Sequence, residues 1–386
     1  MERVDFLVVG AGLAGAALAT HLAASGREVL VLERGRFPRH KLCGEFLSPE
    51  SQALLRNLGC EPDIRDLEPA RITATRFSVA SGRELEFPLP GEGLGLSRYA
   101  LDALLYARAV AAGARVEVGV EVTDVAPGPD GDLVVQAGGR AVRAGWVVAA
   151  HGRRARLDRA LSRPFMARAH PFMGLKRHHR PRSGPEGARL AEALAGHVEI
   201  HAFAGGYCGM SFVETGEVNV CMLLQGGLPS VGEGAPWARV VAHLSAANPR
   251  LAERLGALEP SEPRPWAVAQ VPFTPKEVHR GGVLFLGDAA GMIAPLAGDG
   301  QAMALAGAEA LAALLRAAPG RPGPAGRDRV AEAWDRAWRR RFALRLKVGA
   351  ALQARLLEPA AADRTLRWVG AVPGLAGLLV RATREG

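Results

Sequence analysis

The chain has 386 residues, enough to bury a sizeable core in two domains or in one domain with an insertion. Apolar residues at 48% and charged residues at 23% exclude wholesale disorder, and no apolar run reaches the ~18–20 residues needed to span a bilayer. The net charge of +9 rests on 44 Arg against 4 Lys with only 5% aromatics, which argues for solvated, ion-paired surfaces and against a base-stacking nucleic-acid face.

Residues 5–9, Asp-Phe-Leu-Val-Val, form an apolar run of buried parallel-strand type. Gly10-Ala-Gly12-Leu-Ala-Gly15 follows, then an Ala/Leu helix to about Ser25 and a second strand from Glu28 to Glu33. A glycine turn between strand and helix, with an acidic residue closing the next strand, is a dinucleotide-binding pattern. Gly10 permits the tight turn, Gly12 lets amides approach a pyrophosphate, Gly15 lets helix and strand pack, and Glu33 accepts from a ribose. The stretch 39–49, R-H-K-L-C-G-E-F-L-S-P, then raises four readings for Cys43: metal ligand, half of a disulfide, catalytic thiol or packing. Cys43, Cys60, Cys208 and Cys221 show neither C-x-x-C spacing nor a zinc-type His pattern, so no metal is expected. A Cys43–Cys60 bridge has no positive support.

Two strands are expected around Ser81-Gly82, then a helix from Arg98 to about Ala112 with Leu101, Leu104, Leu105 and Val110 inward. Strands follow at 115–125, 133–136 and 141–150, the last running into His151-Gly152. Residues 165–273 read as an inserted antiparallel sheet with strands at 197–204, 207–214 and 217–224, and a helix from Trp237 to Leu255. Lys176, His178 and His179 in this insert are expected to face solvent, with a catalytic acid or base as the alternative. A buried strand from Val283 ends in Gly287-Asp288; Pro295, Gly298 and Gly300 precede an Ala/Leu helix from Gln301 to Arg316. After a Pro/Gly linker at 319–324, a helix from Asp328 to Leu357 carries Trp334, Trp338 and Leu344 on one side, and an apolar helix lies near 375–380.

Two Gly-rich turns more than 250 residues apart suit a cofactor long enough to touch both ends of the chain. The sequence resembles the flavoprotein monooxygenase superfamily with the p-hydroxybenzoate-hydroxylase fold, in the branch of geranylgeranyl reductases and flavin-dependent halogenases. Three motifs carry the resemblance: Gly10-Ala-Gly12-Leu-Ala-Gly15 with Glu33, Leu96-Ser97-Arg98 opening a helix, and Gly287-Asp288 through Pro295, Gly298 and Gly300. It implies an α/β fold. A Rossmann-like FAD-binding domain of the GR2 type would comprise residues 1–70, 95–164 and 274–325. Residues 71–94 and 165–273 would form the inserted sheet domain, and 326–386 a helical C-terminal tail.

The resemblance further implies FAD as cofactor, with Glu33 and Arg34 at the adenosine, Arg98 at the phosphates or ribityl chain, and Asp288 on the ribityl hydroxyls. Gly287, Pro295, Gly298 and Gly300 would line the flavin, and the following helix would point its positive end at the pyrimidine edge. Cys43-Gly44 matches the reductases and Phe37-Pro38-Arg39 the halogenases, placing Cys43 in the flavin pocket as the candidate catalytic residue. Two departures matter. His151-Gly152 stands where hydroxylases carry Asp-Gly, which puts direct nicotinamide binding in doubt, and the halogenase Trp-x-Trp-x-Ile-Pro motif is absent.

The first expectation is hydroxylation or oxidation of a lipophilic aromatic or polyketide-type natural product by a cytoplasmic enzyme. The second is reduction of an isoprenoid or lipid alkene. Halogenation ranks lower, and nucleic-acid binding lowest. Electrons would come from NADPH, NADH or a separate flavin reductase. A carrier protein and peripheral contact with an anionic membrane stay open as partners.

Overall fold

A computed structural model describes residues 1–227 and 236–371; the apolar segment at 375–380 lies outside them. Two sheets organise the chain. The first has a parallel centre in the order 283–285, 140–149, 3–9, 29–33 and 115–118. Its strands Arg3–Val9 and Val29–Glu33 are apolar on both faces because both faces are covered. Helix Leu13–Ala23 packs against helices Arg98–Ala111 and Gly300–Arg316 on one side. A meander of Val122–Pro127 and Leu133–Ala137 folds onto Arg140–Ala149 on the other.

Several sequence expectations shift by a physical cause. The strand expected over 115–125 is two strands, because Gly119 takes a φ of 80° and turns the chain between them. Val110 is exposed, and Ala109 takes the inner position that the helical period assigns one residue earlier. The helix at 237–255 breaks at Asn248, whose side chain accepts from the amides of Arg250 and Leu251 ahead of Pro249. All four cysteines are free thiols.

The second sheet is built from two excursions of the chain. Hairpin Ala70–Ser78/Glu84–Gly95 joins strand Gly196–Phe203, and Gly206–Phe212, Val218–Gln225 and Phe172–Pro181 follow in order. Among the described residues every pairing is antiparallel except that between 196–201 and 72–78, which is parallel. One face packs on helices Pro185–Leu194, Pro236–Ala247 and Pro249–Gly256, through Leu190, Leu194, Val240, Leu244 and Leu251. The other face looks toward the first sheet and the C-terminal helices.

Those are helix Pro324–Leu356 and, folded back on it, Pro359–Ala371. The long helix is pinned by an aromatic ladder in which Trp338 lies 5.5 Å from Trp334 and 4.5 Å from Phe342. The Trp334 indole donates to the carbonyl of Phe285. Leu344, expected on this side, is exposed, and Phe342 and Arg345 hold the inner positions. Among the described residues no helix is long and apolar enough to cross a membrane.

Candidate active site

Between the two sheets runs a cavity of about 840 Å³. It begins at the first glycine turn. Gly10, at φ 98°, leaves no room for a side chain: a Cβ there would lie 2.7 Å from the carbonyl oxygen of Ala150. Gly15 serves packing, since its Cβ would meet the carbonyl of Gly10, and it does not line the cavity. Gly12 opens helix Leu13–Ala23 with no side-chain cap, so its first amides face the cavity. Glu33 lines the same end and accepts from the amides of Ala11 and Gly35 and from Arg39. Burial alone would raise this carboxyl, but the two amides and Arg39 outweigh it and hold it below its ordinary value.

Above Gly12 sit two cations. Lys41 Nζ would lie 2.9 Å from a Cβ placed on Gly12, and an Arg98 nitrogen 4.0 Å from it. Both are tied to the fully buried Asp102, which pairs with Lys41 at 2.7 Å and accepts from Arg98 through both oxygens. The sequence points to Arg98 alone. Lys41 and Asp102 carry no local pattern that marks them.

Cys43 forms the cavity wall further along. Its sulfur accepts from the Glu45 amide at 3.4 Å and from the Gln301 side chain at 3.5 Å. The Arg98 guanidinium is also beside it. Burial works against that charge, but Asp102 and the Cys43 sulfur more than offset it, holding Arg98 above its ordinary value. Gln301 stands in the first turn of helix Gly300–Arg316, so the thiol lies at that helix's positive end. Gly44 faces open space, with nothing within 4 Å of an added Cβ. Arg34, Gly287, Asp288, Pro295, Gly298 and Gly300 all line the same cavity, and Gly298 takes φ 65° against the ring of Phe46.

The expectation that Lys176, His178 and His179 face solvent is overturned: all three are buried. Both faces of their strand are covered, so neither side chain parity reaches water. His179 points at the helices, its ring tilted against Trp237 at 5.6 Å, and burial pushes it down to about 4. Lys176 and His178 point the other way and hold the Glu45 carboxylate, His178 Nε2 at 2.7 Å from it. Glu45 also accepts from the Arg98 amide at 2.7 Å. Burial would raise Glu45, but His178 and Lys176 dominate and hold it below its ordinary value. Asn219 donates to the Cys43 carbonyl at 3.1 Å, so the second sheet grips the Cys43 loop at both ends.

At the opposite wall His151 pairs with Asp158 at 3.0 Å, and Arg163 holds the other oxygen of that carboxylate. Lys276 donates to the carbonyls of Arg153 and Asp288, and burial lowers it to about 8. Beyond Cys43 the cavity continues as an apolar arm. Phe77, Phe87 and Leu89 line it from the hairpin, Ile200 and Met210 from the middle strands, and Leu352, Leu356 and Leu366 from the C-terminal helices.

An uncapped helix start under two cations, an acidic group at the end of the second strand and a glycine-lined slot beneath a second helix start together fit a dinucleotide that carries a flavin. The chain belongs to the FAD-binding-domain family, which it matches over residues 3–328. It is 36% identical over 172 residues to a menaquinone reductase of Mycolicibacterium smegmatis, covering 42% of this chain and 41% of that protein. It is also 29% identical over 314 residues to digeranylgeranylglycerophospholipid reductase 2 of Methanopyrus kandleri, covering 77% and 72%. Among solved structures, a flavin-dependent brominase superposes with a TM-score of 0.77 over 99% of this chain and 93% of its own, at 16% identity, which establishes the fold alone.

Proposed function

We propose that the protein is an FAD-dependent reductase that saturates an isolated carbon–carbon double bond in a long apolar molecule of isoprenoid or lipid type. The apolar arm carries this reading. It is walled by aliphatic and aromatic side chains from the hairpin, the middle strands and the C-terminal helices, and meets the flavin end of the cavity at Cys43. A flat phenol needs no such arm, whereas a prenyl or acyl chain fills one, gaining about 0.8 kcal/mol per buried methylene. The two relatives above are reductases of a quinone and of a digeranylgeranyl lipid.

In this reading FAD, when bound, supplies hydride to the alkene, with electrons drawn from NADPH, NADH or a separate flavin reductase. Lys41 and Arg98 would neutralise the pyrophosphate, Glu33 and Arg34 would hold the adenosine, and Asp288 would accept from the ribityl hydroxyls. Cys43 delivers the proton that completes the reduction, and the N–H groups of Gln301, Arg98 and Glu45 hold the charge left on sulfur. The apolar arm excludes water and sets the reacting bond against the thiol.

Anaerobic incubation of the pre-reduced, FAD-loaded protein with polyprenyl lipids, read by mass spectrometry, tests this. A product heavier by two hydrogens per reduced bond supports it. A product that appears only in air and carries one added oxygen overturns it in favour of oxygenation.

A further inference from the structure

Beside the flavin cavity three side chains from distant parts of the chain converge: His40 from the Cys43 loop, His178 from strand Phe172–Pro181, and Glu262 from the loop after Leu258–Pro260. We propose that they form a site for one divalent transition ion of the zinc class, with an open coordination position toward the cavity. Nothing in this depends on the reaction assigned above.

One donor atom from each residue lies within 4.8 Å of the other two. His40 Nε2 and His178 Nδ1 each stand 3.5 Å from the same oxygen, Glu262 Oε1. Tetrahedral zinc with bonds of about 2.0–2.1 Å sets its ligands about 3.3–3.4 Å apart, so both histidines are already at ligand spacing from the carboxylate. Two histidines and a carboxylate are a donor set that zinc accepts in open sites.

The second observation is what the most buried donor lacks. His178 is 1% exposed, yet among the described residues its Nδ1 makes no hydrogen bond, and its approach to Glu262 Oε1 is a long 3.5 Å. Buried polar atoms are almost always paired, so a buried imidazole nitrogen without a hydrogen bond, aimed at the Glu262 carboxylate and the His40 ring, marks a place for something that binds it. The far nitrogen of His178 is meanwhile fixed on the Glu45 carboxylate at 2.7 Å, the outer hydrogen bond that orients a metal-bound imidazole. His40 is held by rings on two sides, Tyr99 at 4.8 Å and Trp266 at 4.6 Å. Of the neighbouring cations, Lys176 has its charge answered by Glu45 and Arg177 donates to the Glu262 backbone carbonyl, leaving the Glu262 carboxylate to meet the ion. His40 and Trp266 also line the cavity, which gives the fourth position access to ligand or water.

The test uses FAD-loaded protein stripped with chelator, desalted, and titrated with Co²⁺ and then Zn²⁺. The expected result is one ion per chain, with tetrahedral cobalt absorption on the long-wavelength side of the flavin bands that zinc abolishes. Glu262→Gln and His40→Ala, each checked for a native flavin spectrum, should weaken binding by about tenfold or more. Cys43→Ser should leave it unchanged. Absence of a stoichiometric ion, or loss that follows Cys43 in place of Glu262, overturns the site, and His178 is then a charged histidine bridging two carboxylates.

Discussion

Replacing Glu45 by Ala removes the acceptor on which the Cys43 loop is hung. Glu45 and Lys176 are each fully buried, and the carboxylate answers Lys176, His178 and the Arg98 amide at once. Taking one partner from a buried ion pair costs about 3–5 kcal/mol, and the orphaned amide adds about 1 kcal/mol. A loss of about 4–6 kcal/mol is a large share of the ~5–15 kcal/mol that holds a typical protein folded. Glu45 also sits at φ 56°, so Glu45→Gly should recover roughly 1 kcal/mol of that loss by relieving the backbone.

Urea unfolding of the FAD-loaded protein, followed by flavin fluorescence and circular dichroism, reads these values. The paired change Glu45→Leu with Lys176→Met removes both charges and should return to within about 2 kcal/mol of the wild type. The carboxyl is held below its ordinary value, so its contribution is full at neutral pH and is lost as pH falls through the folded value. The gap between Glu45→Ala and wild type should therefore narrow in acid. A Glu45→Ala loss under about 1 kcal/mol at neutral pH refutes the argument that this cluster holds the loop.

Gly12→Val should abolish FAD binding and yield colourless but folded protein, because the new side chain enters the space beneath Lys41 and Arg98; retention of the yellow cofactor counts against that placement. Cys43→Ser should keep FAD bound yet lower kcat by about 100-fold or more with little change in KM, and unchanged turnover would reduce the thiol to packing. Glu199 is fully buried, and although burial alone would raise it, His201 and Arg254 pull it from 4.5 to about 2. It therefore contributes about 3 kcal/mol above pH 4.5, lost as pH falls through about 2, so Glu199→Gln should lower Tm at neutral pH and converge with wild type in strong acid. Equal Tm values at neutral pH would remove Glu199 from the account of acid stability.

The flavin half was legible because its information is local. The turn at Gly10–Gly15 declares itself by strand, glycine spacing and helix within about 30 residues, and the Gly287–Gly300 segment does the same. The strands of the insert were legible for the same reason. What escaped was every pairing set by register between distant segments. Lys176 meets Glu45 across 131 residues of sequence, and Lys41 meets Asp102 across two helices and a hairpin. A strand with alternating charges reads as half-exposed until it is known that a loop covers one face and helices the other. Hence the buried polar cluster was mistaken for a wet surface.

The single parallel seam of the second sheet has a consequence for synthesis on the ribosome. Strand Ala70–Ser78 cannot be completed until Gly196–Phe203 has emerged, about 100 residues after its hairpin partner ends at Gly95. At about 5–20 residues per second that edge stays open for roughly 5–20 s. Phe77 and Phe87 of the hairpin, which later face the apolar arm, are uncovered throughout the wait. The first half of the sheet is thus a nascent-chain hazard, an open strand edge with aromatic side chains, and the insert cannot be excised as one contiguous folding unit.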